Sequence, residues 1–394
     1  MPPESFKPPP WDPSSGTAEL WSPRAVFAYS GGDLATIDGK LGFLLWGGGH
    51  HDSPDNSLYF TPFDGSGPRR LSGPFLIPPG GDYYPQDGLE HYTVVSRNQP
   101  GVTVAAAPKS RHTYATLVTV IVKGKTYFFA VGGGMASLSG FGSNVTRMFD
   151  LSLTYEQAMA RPDMGWTKKA NAPAGTLTAS AGLDTKTGLI VVRARTFYGA
   201  YDPVGDSWTR WGDAGGGSDY EASVAMDVEG RKMYVLGGHI AEVINLDTHA
   251  LTSLGTWDGT KVVGPAWVKG FVSHSAAETY FNGPGVAWHP GRKRLLVYPY
   301  AIPGVPFVAG QQQNILQIDP VAGTIETLMM GGVQVQTRPD YAFYGRFRLL
   351  PGTDTVVLAG KVDADVYIGQ LPPAARPTGL LDAPSRILRA VSTR

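Results

Sequence analysis

Two stretches of the sequence carry the residue types that acid–base chemistry needs. The first runs Asp82-Tyr83-Tyr84, Glu90-His91-Tyr92 and Arg111-His112. A Tyr/His pair can take a proton from a carbon beside a carboxylate, and an Arg can hold that carboxylate. His91, Tyr92, Arg111 and His112 are therefore the set that a glycan-cleaving lyase or hydrolase would use. The same stretch, with Tyr83, Tyr84 and Glu90, equally suits a contact surface, where Tyr and Arg are favoured. The contact reading is preferred. The second stretch holds Trp257, Trp267-Val268-Lys269, His274 and Glu278-Thr279-Tyr280-Phe281. Its Trp257, Trp267, His274 and Tyr280 could stack on a sugar or pack on protein.

His50-His51-Asp52 follows three glycines and invites a metal reading. Neighbouring side chains on an extended backbone point to opposite sides, so two adjacent histidines rarely share one ion. Loop hydrogen bonding is preferred, and neither a metal nor a cofactor is expected. His239 stands in the same place after Gly237-Gly238, as a residue serving turn geometry would. No Gly-x-Ser-x-Gly, P-loop or His-Glu-x-x-His occurs. Asp202–Trp208 lacks the residue order of a sialidase Asp box.

Composition removes several classes. The 394 residues hold 33 Lys+Arg against 33 Asp+Glu and no Cys. A balanced chain without a basic run does not suit nucleic acid, since phosphate neutralisation needs clustered cations. Lack of Cys removes disulfides, thiolate metal sites and thiol nucleophiles together. No apolar run of ~18 residues is present, so no membrane insertion is expected. Met1 to Pro13 is polar and Pro-rich without an apolar core, so a Sec-type signal is not expected.

The residues above must be positioned by something, and a repeat supplies it. The 51 Gly and 32 Pro coexist with 42% hydrophobic residues, the composition of many short strands joined by many turns. One unit recurs six times, with tight turns and apolar runs starting at Gly39, Gly124, Thr187, Glu229, Pro290 and Gly352. Each unit has an apolar run upstream, Ala25–Tyr29 in the first, and one or two downstream, so four strands per unit are expected, as in a propeller blade. The expected fold is all-β, a six-bladed β-propeller, with seven blades the runner-up. Blades are placed near 17–74, 111–170, 175–211, 220–255, 283–328 and 341–372. A Pro-rich arm (1–16) precedes them and a tail (373–394) follows. The sixth unit lacks a clear fourth strand, and Thr17–Trp21 is expected to fill that place and close the ring. Helix is expected only at Thr154–Ala160 and at Pro384–Val391.

Gly-Gly after the second strand, at Gly47–Gly49, Gly132–Gly134 and Gly237-Gly238, with Tyr201 and Trp208 further on, resembles the kelch-type propeller pattern. The resemblance spans roughly residues 20–372. The third, fifth and sixth units lack the Gly-Gly pair. A kelch-type copper radical oxidase does not fit a chain without Cys.

In a blade, the first-to-second and third-to-fourth strand turns lie at one end, and the remaining connections at the other. The long excursions (47–57, 73–110, 132–143, 256–284, 301–313 and 331–340) all fall at this second end, the end where loops on a rigid scaffold carry binding. His50, His51, Asp52, Tyr83, Tyr84, Glu90, Trp257, Trp267, His274 and Tyr280 make up that expected face.

These features fit a non-enzymatic docking module of a phage virion, associated with the tail. Tail nozzle proteins of short-tailed phages are similar in containing propeller domains. The resemblance implies other virion proteins or further copies of the chain as partners, and a host surface glycan as a further one. The alternatives are a glycan-active enzyme or a carbohydrate-binding propeller, placed in the bacterial cytoplasm or secreted by a non-Sec route.

Overall fold

The computed structural model describes residues 30–47, 56–73, 91–95, 103–134, 142–215, 222–237, 239–257, 262–272, 283–298, 314–329, 343–359, 366–373 and 389–391. The chain divides into two compact units, residues 1–216 and 217–393.

The first unit holds three four-stranded antiparallel sheets. The first is β1 (Gly32–Ile37), β2 (Lys40–Leu45), β3 (Leu58–Pro62) and β4 (Arg69–Ser72). A hairpin follows, β5 (His91–Val95) and β6 (Thr103–Pro108). The second sheet is β7 (Val118–Val122), β8 (Lys125–Val131), β9 (Thr146–Asp150) and β10 (Trp166–Lys168). The third is β11 (Ala179–Asp184), β12 (Leu189–Ala194), β13 (Tyr198–Asp202) and β14 (Ser207–Gly212).

The second unit repeats the plan. Its first sheet is β15 (Ser223–Asp227), β16 (Lys232–Gly237), β17 (Ile240–Asn245) and β18 (Leu251–Ser253). A short hairpin, β19 (Thr256–Trp257) and β20 (Val262–Val263), leads to a 3-10 turn at Ala266–Gly270. Then come β21 (Gly285–His289), β22 (Arg294–Tyr298), β23 (Asn314–Asp319) and β24 (Thr324–Met329). The last sheet is β25 (Phe347–Leu349), β26 (Thr355–Ala359), β27 (Val366–Gln370) and β28 (Arg389–Val391). Six such sheets, each ordered as its strands occur in the chain, make the fold a six-bladed β-propeller.

Side-chain alternation explains how the sheets stack. Successive residues of a strand face opposite sides. In β8, Phe128 and Ala130 pack with Leu44, Trp46, Phe60 and Trp166. Phe129 and Val131 of the same strand pack with Ile190, Val192 and Tyr201 of the third sheet. Strands buried on both faces read as unbroken apolar runs, which is why FFAV and LIVV stand out in the sequence. In the second unit, Leu295 and Val297 join Tyr234 and Leu236. Leu296 and Tyr298 join Phe347 and Leu358.

The turn signals have an equally local cause. Asp38-Gly39 and Lys123-Gly124 all carry positive φ, the backbone of a two-residue hairpin turn. Four sheets then pair a cation at or just before the start of the second strand with an aspartate at or just beyond the end of the third. These are Lys40–Asp64 at 2.8 Å, Lys125–Asp150 at 3.8 Å, Arg231–Asp247 at 2.8 Å and Arg294–Asp319 at 3.0 Å. In the sixth sheet Thr355 Oγ1 instead donates to Gln370 Oε1 at 2.9 Å. The repeated Gly-Lys and Gly-Arg-Lys of the sequence are these turns and pairs.

Four expectations need correction. The outer strand of the sixth sheet is Arg389–Val391, drawn from the stretch expected to be a tail and paired with β27; Thr17–Trp21 lies outside the described residues. The same three residues are strand rather than the end of a helix over Pro384–Val391. The first strand is Gly32–Ile37, and the apolar run Ala25–Tyr29 expected in its place lies outside the described residues. Elaboration is also not confined to one end. Residues 151–165, between the third and fourth strands of the second sheet, hold helix α1 (Tyr155–Met159), capped by Thr154 with Gln157 in a capping box.

Candidate functional site

In the first unit, residues 108–117 form a strap across the roots of two connections. Asn56 Nδ2 donates to the Pro108 carbonyl at 2.8 Å, and Trp46 Nε1 donates to the Asn56 carbonyl at 3.0 Å. Thr113 Oγ1 donates to the Trp46 carbonyl at 3.0 Å and accepts the Gly31 N–H at 3.1 Å. Trp46 and Asn56 are the two ends of the connection that carries His50-His51-Asp52. The His112 N–H donates to the Gly134 carbonyl at 2.9 Å. Arg111 Nη1 donates to the Gly132 carbonyl at 3.1 Å and lies 3.5 Å from Ser143 Oγ, at the two ends of the next connection. One short stretch therefore sets the spacing of both loop roots.

The glycines are required by this approach. Gly133 has φ +97, and a Cβ there would lie 2.6 Å from the His112 carbonyl oxygen and 2.9 Å from Arg111 Cδ. Gly132 has φ +64, and its Cβ would lie 2.2 Å from Thr176 Cγ2. The Gly-Gly of the sequence marks backbone meeting backbone. Tyr114 adopts φ 45 inside the strap, a conformation that a bulky residue keeps only when its surroundings hold it.

Arg111 is 2% exposed. Besides Gly132, it donates from Nε to the Lys109 carbonyl at 3.2 Å, and its guanidinium lies 5.6 Å from the Trp46 ring centre. It is part of the framework, not a surface clamp for a carboxylate as the enzymatic reading required. His112 is half-buried, with Nδ1 3.2 Å from the Tyr114 hydroxyl and the two rings edge to face at 5.6 Å. Tyr114 was not among the expected residues. Its one signal in the sequence was proximity, two residues after His112. His91 and Tyr92 lie on β5, where the register sets His91 opposite Pro108 and so beside the strap.

Trp267 is 1% exposed, in the core with Tyr234, Leu236, Phe271 and Leu295, so it is not a sugar-stacking platform. Trp257 lies on β19, paired with Val262. His50, His51, Asp52, Tyr83, Tyr84, Glu90, His274 and Tyr280 lie outside the described residues. His239, at φ 75, sits in the turn between β16 and β17, as turn geometry demanded. Among the described residues no cluster of three His, Asp or Glu could hold a metal.

No protein-family model matches the chain, nor does the sequence of any curated protein. Solved structures align with the chain. The SapL1 lectin in complex with alpha methyl fucoside aligns at 11% identity and TM-score 0.44, over 90% of this chain and 100% of that one. YjhT aligns at 11% identity and TM-score 0.47, over 87% of this chain and 94% of that one. A Bacteroides thetaiotaomicron structural-genomics protein of unknown function aligns at 11% identity and TM-score 0.37, over 66% of this chain and 56% of that one.

A second polar cluster lies in the second unit. The Arg292 N–H donates to His289 Nδ1 at 3.3 Å, which leaves the imidazole proton on Nε2, 2.6 Å from Asp354 Oδ1. Arg292 adds Nε to the same oxygen at 3.3 Å and bonds the Pro372 carbonyl through Nη2. Burial pushes the Asp354 carboxyl up, but the hydrogen bonds from His289 and Arg292 and the charge of Arg292 outweigh it and hold the carboxyl below its ordinary value. This pair resembles the orienting half of a catalytic triad. Both ring nitrogens are engaged within the fold, and the pair joins two turns.

Proposed function

We propose that the protein is a non-enzymatic docking module, with the loops rooted at the 108–117 strap as part of its contact face. The observation that carries this reading is the position of Arg111. The group that an acidic-glycan enzyme would turn toward a substrate carboxylate is buried against Lys109, Gly132, Ser143 and Trp46. It fixes loop roots, which is what a recognition surface needs. The virion setting belongs to the same proposal, with other virion proteins or further copies of the chain as partners. So does the kelch-type assignment, which the cramped glycines at Gly132 and Gly133 support. The test is the native mass of the purified chain alone and mixed with disrupted phage tails. Assembly with itself or with tail protein supports the reading. A monomer that binds neither and cleaves an acidic polysaccharide overturns it.

One observation favours a glycan-active alternative, the Tyr114 hydroxyl 3.2 Å from His112 Nδ1. Such a pair could take the proton beside a uronate carboxylate as the glycosidic oxygen leaves, forming a carbon–carbon double bond. Ultraviolet absorbance of that unsaturated product, lost in His112→Ala and in Tyr114→Phe, would establish it. No absorbance with intact protein on uronate polymers would dismiss it.

A further inference from the structure

Two sheets of the first unit carry the same irregularity in the outer strand. In the first sheet the register passes from Tyr59 opposite Arg70 to Leu58 opposite Ser72, which leaves Leu71 as an extra residue. In the third it passes from Gly199 opposite Arg210 to Tyr198 opposite Gly212, which leaves Trp211. Such a bulge re-aims the side chain that it carries. Leu71 is 5% exposed, in one cluster with Leu151 and Ala158 from the second sheet's connection, and Ser72 beside it donates to the Met164 carbonyl at 2.7 Å. The first bulge is therefore covered. Trp211 is only half-buried. Its bulge is tightly built, since a Cβ at Gly199 would lie 2.3 Å from the Thr209 carbonyl oxygen, and one at Gly212 would lie 2.7 Å from the Tyr198 hydroxyl.

Polar groups gather beside Trp211. β12 and β13 are joined by residues 195–197 alone, and the Ala194 N–H donates to the Phe197 carbonyl at 2.8 Å. At the same end, the first and second sheets carry the longer connections 46–57 and 132–145. Arg210 donates from Nη2 to the Thr196 carbonyl at 3.4 Å, pairs with Asp213 and sets its guanidinium 5.9 Å from the Phe197 ring centre. Arg195, in the turn, is exposed, and among the described residues no carboxylate pairs with it.

We infer that this end of the third sheet binds a carboxylated sugar, with Trp211 meeting the C–H face of the sugar ring and Arg195 taking the carboxylate. An indole offers a flat apolar surface of about one ring, which such a face matches. A guanidinium holds a carboxylate through two parallel hydrogen bonds. Arg210 and Asp213, fixed on each other and on the turn, supply a donor and an acceptor for hydroxyls. A protein partner would need an apolar patch at the centre of the contact. The large apolar residues described as exposed in the first unit, Leu41, Ile121 and Val204, all lie by the tight turns at the opposite end. The inference goes beyond the docking reading, because it names a ligand class and a subsite outside the strap and its loop roots.

Calorimetric titration of the full chain with tetragalacturonate, its methyl ester and tetraglutamate tests it. The acid sugar is expected to bind about tenfold more tightly than either of the others. Arg195→Gln should abolish the preference for acid over ester, and Trp211→Ala should weaken binding of both sugars about tenfold. If melting shows that Trp211→Ala unfolds the protein, Trp211→Leu, which keeps apolar bulk without a flat face, is read by the same criterion. Equal affinity for acid and ester, binding of neither sugar, or unchanged affinity in the Trp211 variant overturns the inference. Tighter binding of tetraglutamate overturns it in favour of an acidic peptide. The docking reading rests on native mass with tail protein, which none of these titrations measures, so the two fail separately.

Discussion

His289 Nε2 and Asp354 Oδ1 stand 2.6 Å apart, joining the fifth sheet to the turn between the first two strands of the sixth. Arg292 and His289 are nearly covered, whereas the Asp354 side chain is 38% exposed, so water screens part of the interaction. Asp354→Asn is expected to cost about 1 kcal/mol at neutral pH, below the value for fully buried charged hydrogen bonds. The sign with pH follows from the lowered carboxyl value. The native carboxylate needs more acid to protonate than the unfolded one, at about 3.9. Its contribution is present above that pH and is lost as pH falls through the native value. Denaturant midpoints should therefore differ between parent and Asp354→Asn at pH 7 and converge in strong acid. An equal gap at both would show that the carboxylate is not the source.

Arg111 leads to a prediction about two loops at once. Arg111→Ala leaves the Gly132 carbonyl short of a donor and opens space over Trp46. A buried group left unsatisfied costs about 1–3 kcal/mol, and the cavity adds to it. Hydrogen exchange should quicken both at the Gly133 N–H, which donates to the Thr176 carbonyl, and at the Gly31 N–H, bonded to Thr113. Exchange confined to the Gly132–Gly134 side would mean that the strap does not couple the two roots.

Two glycines with similar φ separate strain from crowding. Gly124 has φ +78 with nothing within 4 Å of an added Cβ, and Gly133 has φ +97 with the His112 carbonyl at 2.6 Å. Gly124→Ala should cost only the backbone penalty, about 1 kcal/mol. Gly133→Ala must add the displacement of the strap and should cost at least twice as much. Melting temperatures of the two variants give the comparison; equal losses would remove the close-approach account of the Gly-Gly pattern.

How far the sequence reached depends on whether a feature is local. Unbroken apolar runs such as Phe128-Phe129 and Val191-Val192 declare strands buried on both faces, so the sheet count and the places of most strands were readable. Asp38-Gly39 and Lys123-Gly124 declare hairpin turns for the same reason. Arg389–Val391 gave no such signal. Three residues carry no period, and the pairing partner lies across a long connection. The commitment of Arg111 to carbonyls of residues 109 and 132 was likewise invisible. A basic residue in a polar stretch reads the same whether it faces solvent or braces a loop. Trp267 misled in the opposite direction, because a Trp in a long insert gives no sign of whether it faces out or in.

Trp267 offers the sharpest contrast between packing and recognition. It is 1% exposed, edge to face with Phe271 at 6.1 Å, and surrounded by Tyr234, Leu236 and Leu295. Among the described residues its indole Nε1 has no hydrogen-bond partner, so the side chain contributes through apolar contact rather than through a directed bond. Trp267→Ala should cost about 3–5 kcal/mol, as large-to-small changes in cores do. Trp267→Phe keeps most of the ring volume and removes the unsatisfied donor, so it should recover more than half of that loss. A sugar-stacking Trp would behave otherwise. Its replacement would weaken glycan binding and leave the denaturation midpoint within about 0.5 kcal/mol of the parent. Urea denaturation of the three proteins decides between the two, and an unmoved midpoint for Trp267→Ala would return this residue to the contact face.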